Sequence, residues 1–565
     1  MEEFTDRIIK KVTSAFPELE NSFSDEFLER PKDPGHGDIA LPCFKFARIL
    51  KKAPVAIAED LKALFEDDSH FESISNIKGY LNFKLNRELY AELLLKNFRA
   101  DKIFKKMAAT GKNNTIVIDY SHPNIAKNMG IHNLRSTIIG GALYNIYSFL
   151  GYRTEGVNHL GDWGTQFGKL MLALEKWSSK EKLVRLGILH LNDMYVKYHE
   201  ESKKDPGLDE QAGKWFLRLE NNDPAAVEWR DLFVKVSMDA YNKIYRRLNI
   251  KFDHITGESF YIKYLDETVK KLELKGLTQK SEGALVVKFK DDSMPPCLLK
   301  KSDGATLYST RDIAAAMYRL KEFRPHKVIY VTDVAQKLHF NQVFRVMEMY
   351  DSSAKNKFVH VMFGRLSFGN IQMSTRKGNI VPLQRVLDRA KQKVLEIIES
   401  REIEFTDKEA TADRIGVGAV IFNDLSVSRI KNIIFDWKKT LSFEGETGPH
   451  IQYSFVRMIN ILEKTGECST PVENSLLTDE FSFDLLKLIN IFPETVLRAR
   501  DENEPSLIAG YLTDLSRSFN RFYHNNRIVG ENENVKSART ALLKVLVSVY
   551  GKCMELLNIP KIKKM

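Results

Sequence analysis

The stretch Asp119-Tyr-Ser-His-Pro-Asn-Ile-Ala-Lys-Asn-Met-Gly-Ile-His-Asn-Leu-Arg-Ser136 decides how this chain folds. A β-rich run, residues 115–120, leads into a polar turn holding Pro123 and Gly130, and a helical pattern begins near Leu134. Strand, polar turn, helix is the order in which α/β proteins bring an anionic ligand to a helix N-terminus, where free N–H groups and the dipole favour phosphate. About 240 residues on, Gln372-Met-Ser-Thr-Arg-Lys-Gly-Asn379 forms a second polar loop. Its two adjacent cations, hydroxyls and glycine suit a mobile clamp on a polyphosphate.

Around the first stretch, from about residue 113 to about 395, strand-like runs (115–120, 285–290, 328–331, 358–363) alternate with helical ones. That alternation predicts a parallel sheet wrapped by helices. The mostly charged, helical text between about 170 and 282 predicts an insertion between two halves of a nucleotide-binding fold. Residues 1 to about 100 predict a small α/β module: helical runs at 4–16 and 44–64, a turn-rich 31–38, and a strand at 79–84. From about 400 to 565 long helical patterns dominate (451–463, 507–525, 538–556), which predicts an all-α bundle. Basic and aromatic residues interleave from Arg517 to Arg527. Helical spacing makes Phe519, Phe522 and Tyr523 a core stripe with a solvated charged face. The expected fold class is therefore multidomain α/β plus all-α.

The 43% hydrophobic and 28% charged fractions are those of a soluble globular protein, and no apolar run is long enough to span a bilayer. No membrane partner is expected. The N-terminus shows no basic region followed by an apolar one, so no secretory signal is expected. Cys43, Cys297, Cys468 and Cys553 lie far apart and form no CxxC. That argues against a zinc site or a disulfide framework and fits a reducing, cytoplasmic setting. The net charge of +10 permits a polyanionic partner without naming one.

The two loops, in this order, resemble the HIGH and KMSKS signatures of class I aminoacyl-tRNA synthetases. The flanking Pro123-Asn-Ile-Ala-Lys127 and the run Met373-Ser-Thr-Arg-Lys-Gly378 narrow the resemblance to the arginyl-tRNA synthetase family, and it extends nearly end to end. It implies a Rossmann-like catalytic domain at about 113–395, a tRNA-elbow-binding domain at 1–100 and a helical anticodon-binding domain at 400–565. Gly37-Asp-Ile-Ala40, Asn82-Phe83 and Gly448-Pro-His-Ile-Gln-Tyr453 carry the outer two. The implied reaction joins L-arginine to tRNA(Arg) with ATP, giving arginyl-tRNA, AMP and pyrophosphate, with tRNA bound before arginine is activated. Mg²⁺ accompanies ATP, no tightly bound metal is implied, and the protein is expected to be a monomer.

The carboxylate of an amino acid is already a nucleophile, so this chemistry asks for positioning and for cations and N–H donors around phosphate. His-x-Gly-His of the first signature falls on Gly130, Ile131, His132 and Asn133. Gly130 removes an imidazole, and His132 either crowds the adenine face or itself serves the phosphates. The second signature has Gln372 and Thr375 where the family's lysines stand, leaving Arg376 and Lys377 as cations beside Met373 and Ser374. The ordinary reading of Lys127 is a solvated loop lysine. The resemblance makes it the stand-in for the missing lysine of the second signature.

A selective arginine pocket needs carboxylates and carbonyls in fixed geometry, because a guanidinium has five donors in a planar fork. Asp119 and Asp312 are the candidate carboxylates. Without the resemblance, Asp312 would be read as a helix cap. With it, Asn124 is expected to hold the α-amino end, and Tyr308, Asp312 and Gln336 to contact the arginine. The glycine-rich Asn158-His-Leu-Gly-Asp-Trp-Gly-Thr-Gln-Phe-Gly168 would by itself be a strand-to-helix turn; the resemblance puts His159, Gly161 and Asp162 near ATP. Tyr453 and Arg457 are the candidate tRNA contacts. The alternative is a non-catalytic tRNA-binding relative with a degenerate ATP signature.

Overall fold

The computed structural model describes residues 1–99, 101–289, 294–367, 381–400, 406–468 and 470–562. Met373, Ser374, Arg376 and Lys377, all expected in the second signature, lie outside the described residues. The chain divides into two compact units. One comprises Met1–Phe104, Met458–Pro493 and Asp514–Val549; the other comprises Lys105–Arg457, Glu494–Thr513 and Tyr550–Met565.

In the first unit, the helix Glu2–Ala15 buries Phe4, Ile8 and Val12, one face at four-residue spacing. Strands β1 (Ile39–Pro42), β2 (Phe71–Ile77) and β3 (Tyr80–Leu85) form an antiparallel sheet in the order β1-β3-β2. Lys78 and Gly79, at φ 53° and 86°, make the tight turn that a right-twisted hairpin favours. The helix expected across 44–64 is broken. The helix Ala47–Leu50 stops at Lys51, which is left-handed, and a new helix, Pro54–Ala63, starts on a proline that cannot continue a preceding one. The helix Arg87–Arg99 meets the helix Glu480–Asn490: Arg87 donates to the Thr478 carbonyl at 2.8 Å and covers the Phe483 ring. Phe519 and Phe522 are fully buried while Arg517 and Arg521 are exposed, so these two form the core side of the helix; Tyr523 is half-buried.

The second unit is built on a five-stranded parallel sheet. Its strands β4 (Thr115–Asp119), β5 (Arg153–Asn158) and β6 (His254–Ile255) follow one another across the sheet. Helices from Thr165–Trp177 to Pro224–Leu248 fill the interval before β6. The chain therefore re-enters the sheet earlier than the predicted end of the insertion near 282. The predicted strand at 285–290 is not in the parallel sheet. It is β8 (Ala284–Val287), between β7 (Gln279–Ser281) and β9 (Cys297–Lys300) in a separate antiparallel sheet. Glu282 and Gly283, both at positive φ, turn the chain too tightly for the crossover that parallel pairing needs.

Strands β10 (Lys327–Asp333) and β11 (Phe358–Phe363) complete the main sheet in the order β11-β10-β4-β5-β6. The chain leaves β4 for β5 on one side and later places β10 on the other. The crevice at the C-terminal ends of β4 and β10 is thus a topological switch point, where open α/β sheets bind ligands. Near-continuous burial of β4 and β10 shows that both faces of the sheet are covered.

Past the sheet, β12 (Leu366–Ser367) pairs in parallel with β13 (Ile433–Ile434). A buried cation organises this corner. Arg135 donates to Asp424 at 3.1 Å and to the carbonyls of Gly364 and Lys431 at 2.8 and 2.7 Å. Arg135→Met should cost about 3–5 kcal/mol, because it strands a buried carboxylate, and Arg135→Met with Asp424→Leu should regain part of it. Thermal melting of the two variants beside the parent checks this.

Candidate active site

The polar turn after β4 is held in a conformation its sequence does not favour. Ser121, His122 and Ala126 all have positive φ, at 82°, 50° and 65°. The constraint comes from hydrogen bonds. The Ser121 amide donates to Ser136 Oγ, the Ile125 amide to the Gly161 carbonyl and the Gly161 amide to the Pro123 carbonyl. Tyr241 Oη donates to the carbonyls of Asn124 and Lys127 at 2.7 and 2.6 Å. Gly161 is required here, since a Cβ would stand 2.3 Å from Asn124 Oδ1. Farther on, the Ile131 amide donates to Val381 and the Leu383 amide to Met129. These bonds staple the first loop to the residues that follow the second in sequence. The Gly130 amide donates to Asn133 Oδ1 at 3.1 Å, and the helix His132–Phe149 begins there.

A cavity of about 630 Å³ opens at this switch point. Of the predicted residues it brings together Asp119, Asn124, His132, Asn133, His159, Gly161, Tyr308, Asp312 and Gln336. Tyr308 is 65% exposed and starts the helix Tyr308–Phe323, which also carries Asp312. Gln336 closes the turn after β10. Tyr453 (exposed) and Arg457 (half-buried) lie on the helix Gly448–Thr465 and do not line this cavity.

Four expectations meet a different arrangement. Asp119 does not offer a free carboxylate. Its Oδ2 is 2.7 Å from Arg319 Nη1 and its Oδ1 2.8 Å from His122 Nε2. Burial pushes its pKa up, but Arg319 and His122 more than reverse that and hold the carboxyl well below the usual range. Asp162 is buried and accepts from the Ser259 amide and Oγ at 2.8 and 2.6 Å, so it caps the following helical turn and does not line the cavity. Lys127 lies beside the main cavity, in a smaller one shared with His132 and Asn133, with its Nζ 5.7 Å from the centre of the Tyr195 ring. Gly130 also stands back from the main cavity, on the turn beneath it.

The electrostatics divide the cavity. His159 stacks on Tyr261, and burial lowers its pKa to about 4, with Asp119 opposing and Arg319 reinforcing, so it is neutral at pH 7. Partial desolvation lowers the imidazole of His132, and the charge of Lys127 adds to it. Asp312 Oδ2 is 2.6 Å from His339 Nε2. The end bearing Asp312, Tyr308 and Gln336 suits a cation. The end at the start of the helix His132–Phe149 suits an anion.

Sequence reading missed His122, Glu258, Arg319 and His339. Arg319 follows Asp312 by seven positions, two turns along the same helix, and that spacing was legible. Glu258 and His339 come from distant segments, and no local pattern marks them.

Because the pKa of Asp119 is depressed in the fold, its stabilising contribution is complete above the ordinary carboxylate value near 4 and fades as pH falls below it. Asp119→Asn should therefore lose about 3–5 kcal/mol near neutral pH, leaving Arg319 buried without its counter-charge. The gap in melting temperature from the parent should narrow as pH falls below about 4.

Three family descriptions match the sequence: "Arginyl tRNA synthetase N terminal domain" over residues 2–85, "tRNA synthetases class I (R), catalytic domain" over 96–437, and "DALR anticodon binding domain" over 451–565. The arginine–tRNA ligase of Halothermothrix orenii is 42% identical over 566 residues, covering 100% of both chains. That of Alkaliphilus metalliredigens is 41% identical over 96% of each. Among solved structures, the Plasmodium falciparum arginyl-tRNA synthetase aligns at TM-score 0.78 and 25% identity over 100% of this chain and 99% of that one. The Thermus thermophilus arginyl-tRNA synthetase, at 23% identity, shares the fold at TM-score 0.81 over 99% and 100%.

Proposed function

The chain belongs to the arginyl-tRNA synthetase family, and from that premise we propose that the cavity at the switch point activates L-arginine with ATP and hands it to tRNA(Arg). Whole-length similarity to arginine–tRNA ligases favours this over a non-catalytic tRNA-binding relative. The observation that carries the residue assignment is the convergence of Asn124, Tyr308, Asp312 and Gln336 on one cavity with His132 and Asn133.

Arginine lies with its guanidinium toward Tyr308 and Asp312 and its α-amino group toward Asn124, with Gln336 between helix and sheet. Its carboxylate then faces the helix His132–Phe149, where ATP sits as its magnesium complex, the metal entering with the nucleotide. A carboxylate oxygen attacks the α-phosphorus in line and pyrophosphate leaves; no base is needed, since the nucleophile carries no proton. The terminal ribose hydroxyl of the tRNA then takes the acyl group and AMP departs. His132 and Asn133 face the nucleotide as donors, with His159 and Gly161 beside it. Lys127 supplies a cation from the smaller neighbouring cavity. Burial lowers its pKa, so a phosphate brought near regains for it a counter-charge that the Tyr195 ring replaces only in part. Arg376, Lys377, Met373 and Ser374 act on the same phosphates by the family pattern.

The region 451–565 binds the anticodon arm, and Tyr453 and Arg457 face RNA there. No helix among the described residues is long and apolar enough to cross a membrane. The working setting is the cytoplasm, and the working form is a monomer.

ATP–pyrophosphate exchange by the pure protein should be negligible without tRNA(Arg) and appear on its addition. Robust exchange without tRNA would overturn the ordering. Lys127→Ala should slow adenylate formation roughly a hundredfold while leaving the melting temperature near that of the parent; unchanged single-turnover kinetics would remove Lys127 from the mechanism.

A further inference from the structure

We propose that Tyr195 is a positioning residue for the reaction above, its ring holding the Lys127 ammonium beside the start of the helix His132–Phe149, where phosphate charge develops; this rests on the functional reading already given. Tyr195 lies on the helix Ile188–Glu201, inside the insertion that precedes β6. Lys127 Nζ stands over the Tyr195 ring, 5.7 Å from its centre, within reach of the electron-rich face. The same lysine lines the small cavity that it shares with His132 and Asn133.

Lysines 127 and 169, both from outside this helix, meet its tyrosines, and they are treated differently. Lys169 Nζ is 5.4 Å from the centre of the Tyr198 ring and 3.4 Å from Asp209, whose carboxylate also accepts from Tyr198 Oη at 2.8 Å. That cation has its counter-charge. Lys127 has no carboxylate at ion-pair distance among the described residues, and burial lowers its pKa. The contact is fixed from both ends. The Lys127 carbonyl accepts from Tyr241 Oη and the Ala126 amide donates to Ser237 Oγ at 2.9 Å, so the helix Pro224–Leu248 holds the lysine's backbone. On the other side, buried Met194 and Tyr198 anchor the helix that carries the ring, and His199 packs nearly perpendicular to Tyr195 with 4.5 Å between ring centres.

A lysine ammonium rides on a flexible four-carbon stem, and holding it in place before the reaction removes an ordering cost from the barrier. A ring face does this without neutralising the charge, whereas a paired carboxylate would have to be displaced by phosphate. The charge stays available for the transition state, so loss of the ring lowers kcat and leaves KM for arginine in place.

Adenylate formation with arginine, ATP and tRNA(Arg) present tests this on Tyr195→Leu, Tyr195→Phe, Lys127→Ala and the double variant Lys127→Ala with Tyr195→Leu. Tyr195→Leu should lower the rate at saturation roughly ten- to thirtyfold, with KM for arginine and the melting temperature close to the parent's. Tyr195→Phe, which keeps the ring face, should recover most of that loss. In the Lys127→Ala background Tyr195→Leu should cost nothing further, because the ring acts through the ammonium. A parental rate for Tyr195→Leu, a Tyr195→Phe rate as low as that of Tyr195→Leu, or losses that multiply in the double variant would each overturn the proposal. If Lys127→Ala alone is without effect, the inference falls while the arginine reading stands. If the parent forms no adenylate from arginine, the functional reading fails and this inference fails with it.

Discussion

The site depends on one buried ion pair. Asp119 closes β4 and Arg319 lies inside the helix Tyr308–Phe323; their contact at 2.7 Å joins segments 200 residues apart in the chain. It fixes the helix bearing Tyr308 and Asp312 against the turn bearing Asn124. In a dry interior neither charge is tolerable alone, so the pair fixes geometry more surely than it adds net stability. His122 on the second oxygen of Asp119 extends the constraint into the strained turn, and Ser136 and Tyr241 hold that turn from the other side.

This arrangement gives the carboxylates different work although they lie close together. Asp119 lines the cavity with both oxygens already met by Arg319 and His122. Asp162 caps a helical turn. Asp312 and Glu258 line the cavity, beside His339 and Arg311 respectively. Environment, not residue type, makes the division: Asp119 is fixed by the charges of Arg319 and His122, and Asp162 by the Ser259 amide and hydroxyl.

A second buried cation, Arg135, plays the matching part at the start of the helix His132–Phe149. It grows from the first turn of the helix that begins at His132 and holds the carbonyl of Gly364, just past β11. The first loop is also stapled to residues 381–383 by backbone bonds. Residues 381–383, far from the first loop in sequence, thus take their position from it.

The alternation of strand-like and helical runs around 115–136, 328–331 and 358–363 pointed to the parallel sheet, and in β4 and β10 burial on both faces leaves a continuous apolar run that local sequence displays. The family, and the segments holding Asn124, Tyr308, Asp312 and Gln336, were legible for a related reason: each sits in an unbroken run of residues. What tertiary structure alone decided is which charges face each other. Nothing near Asp119 announces that its partner is Arg319, nothing near Glu258 announces a cavity, and the pairing of β8 with β7 and β9 depended on a turn at Glu282 and Gly283 that periodicity does not see. Periodicity records which face of an element is dry. The direction of a buried charge is set by a partner hundreds of residues away, and only the folded chain brings the two within reach.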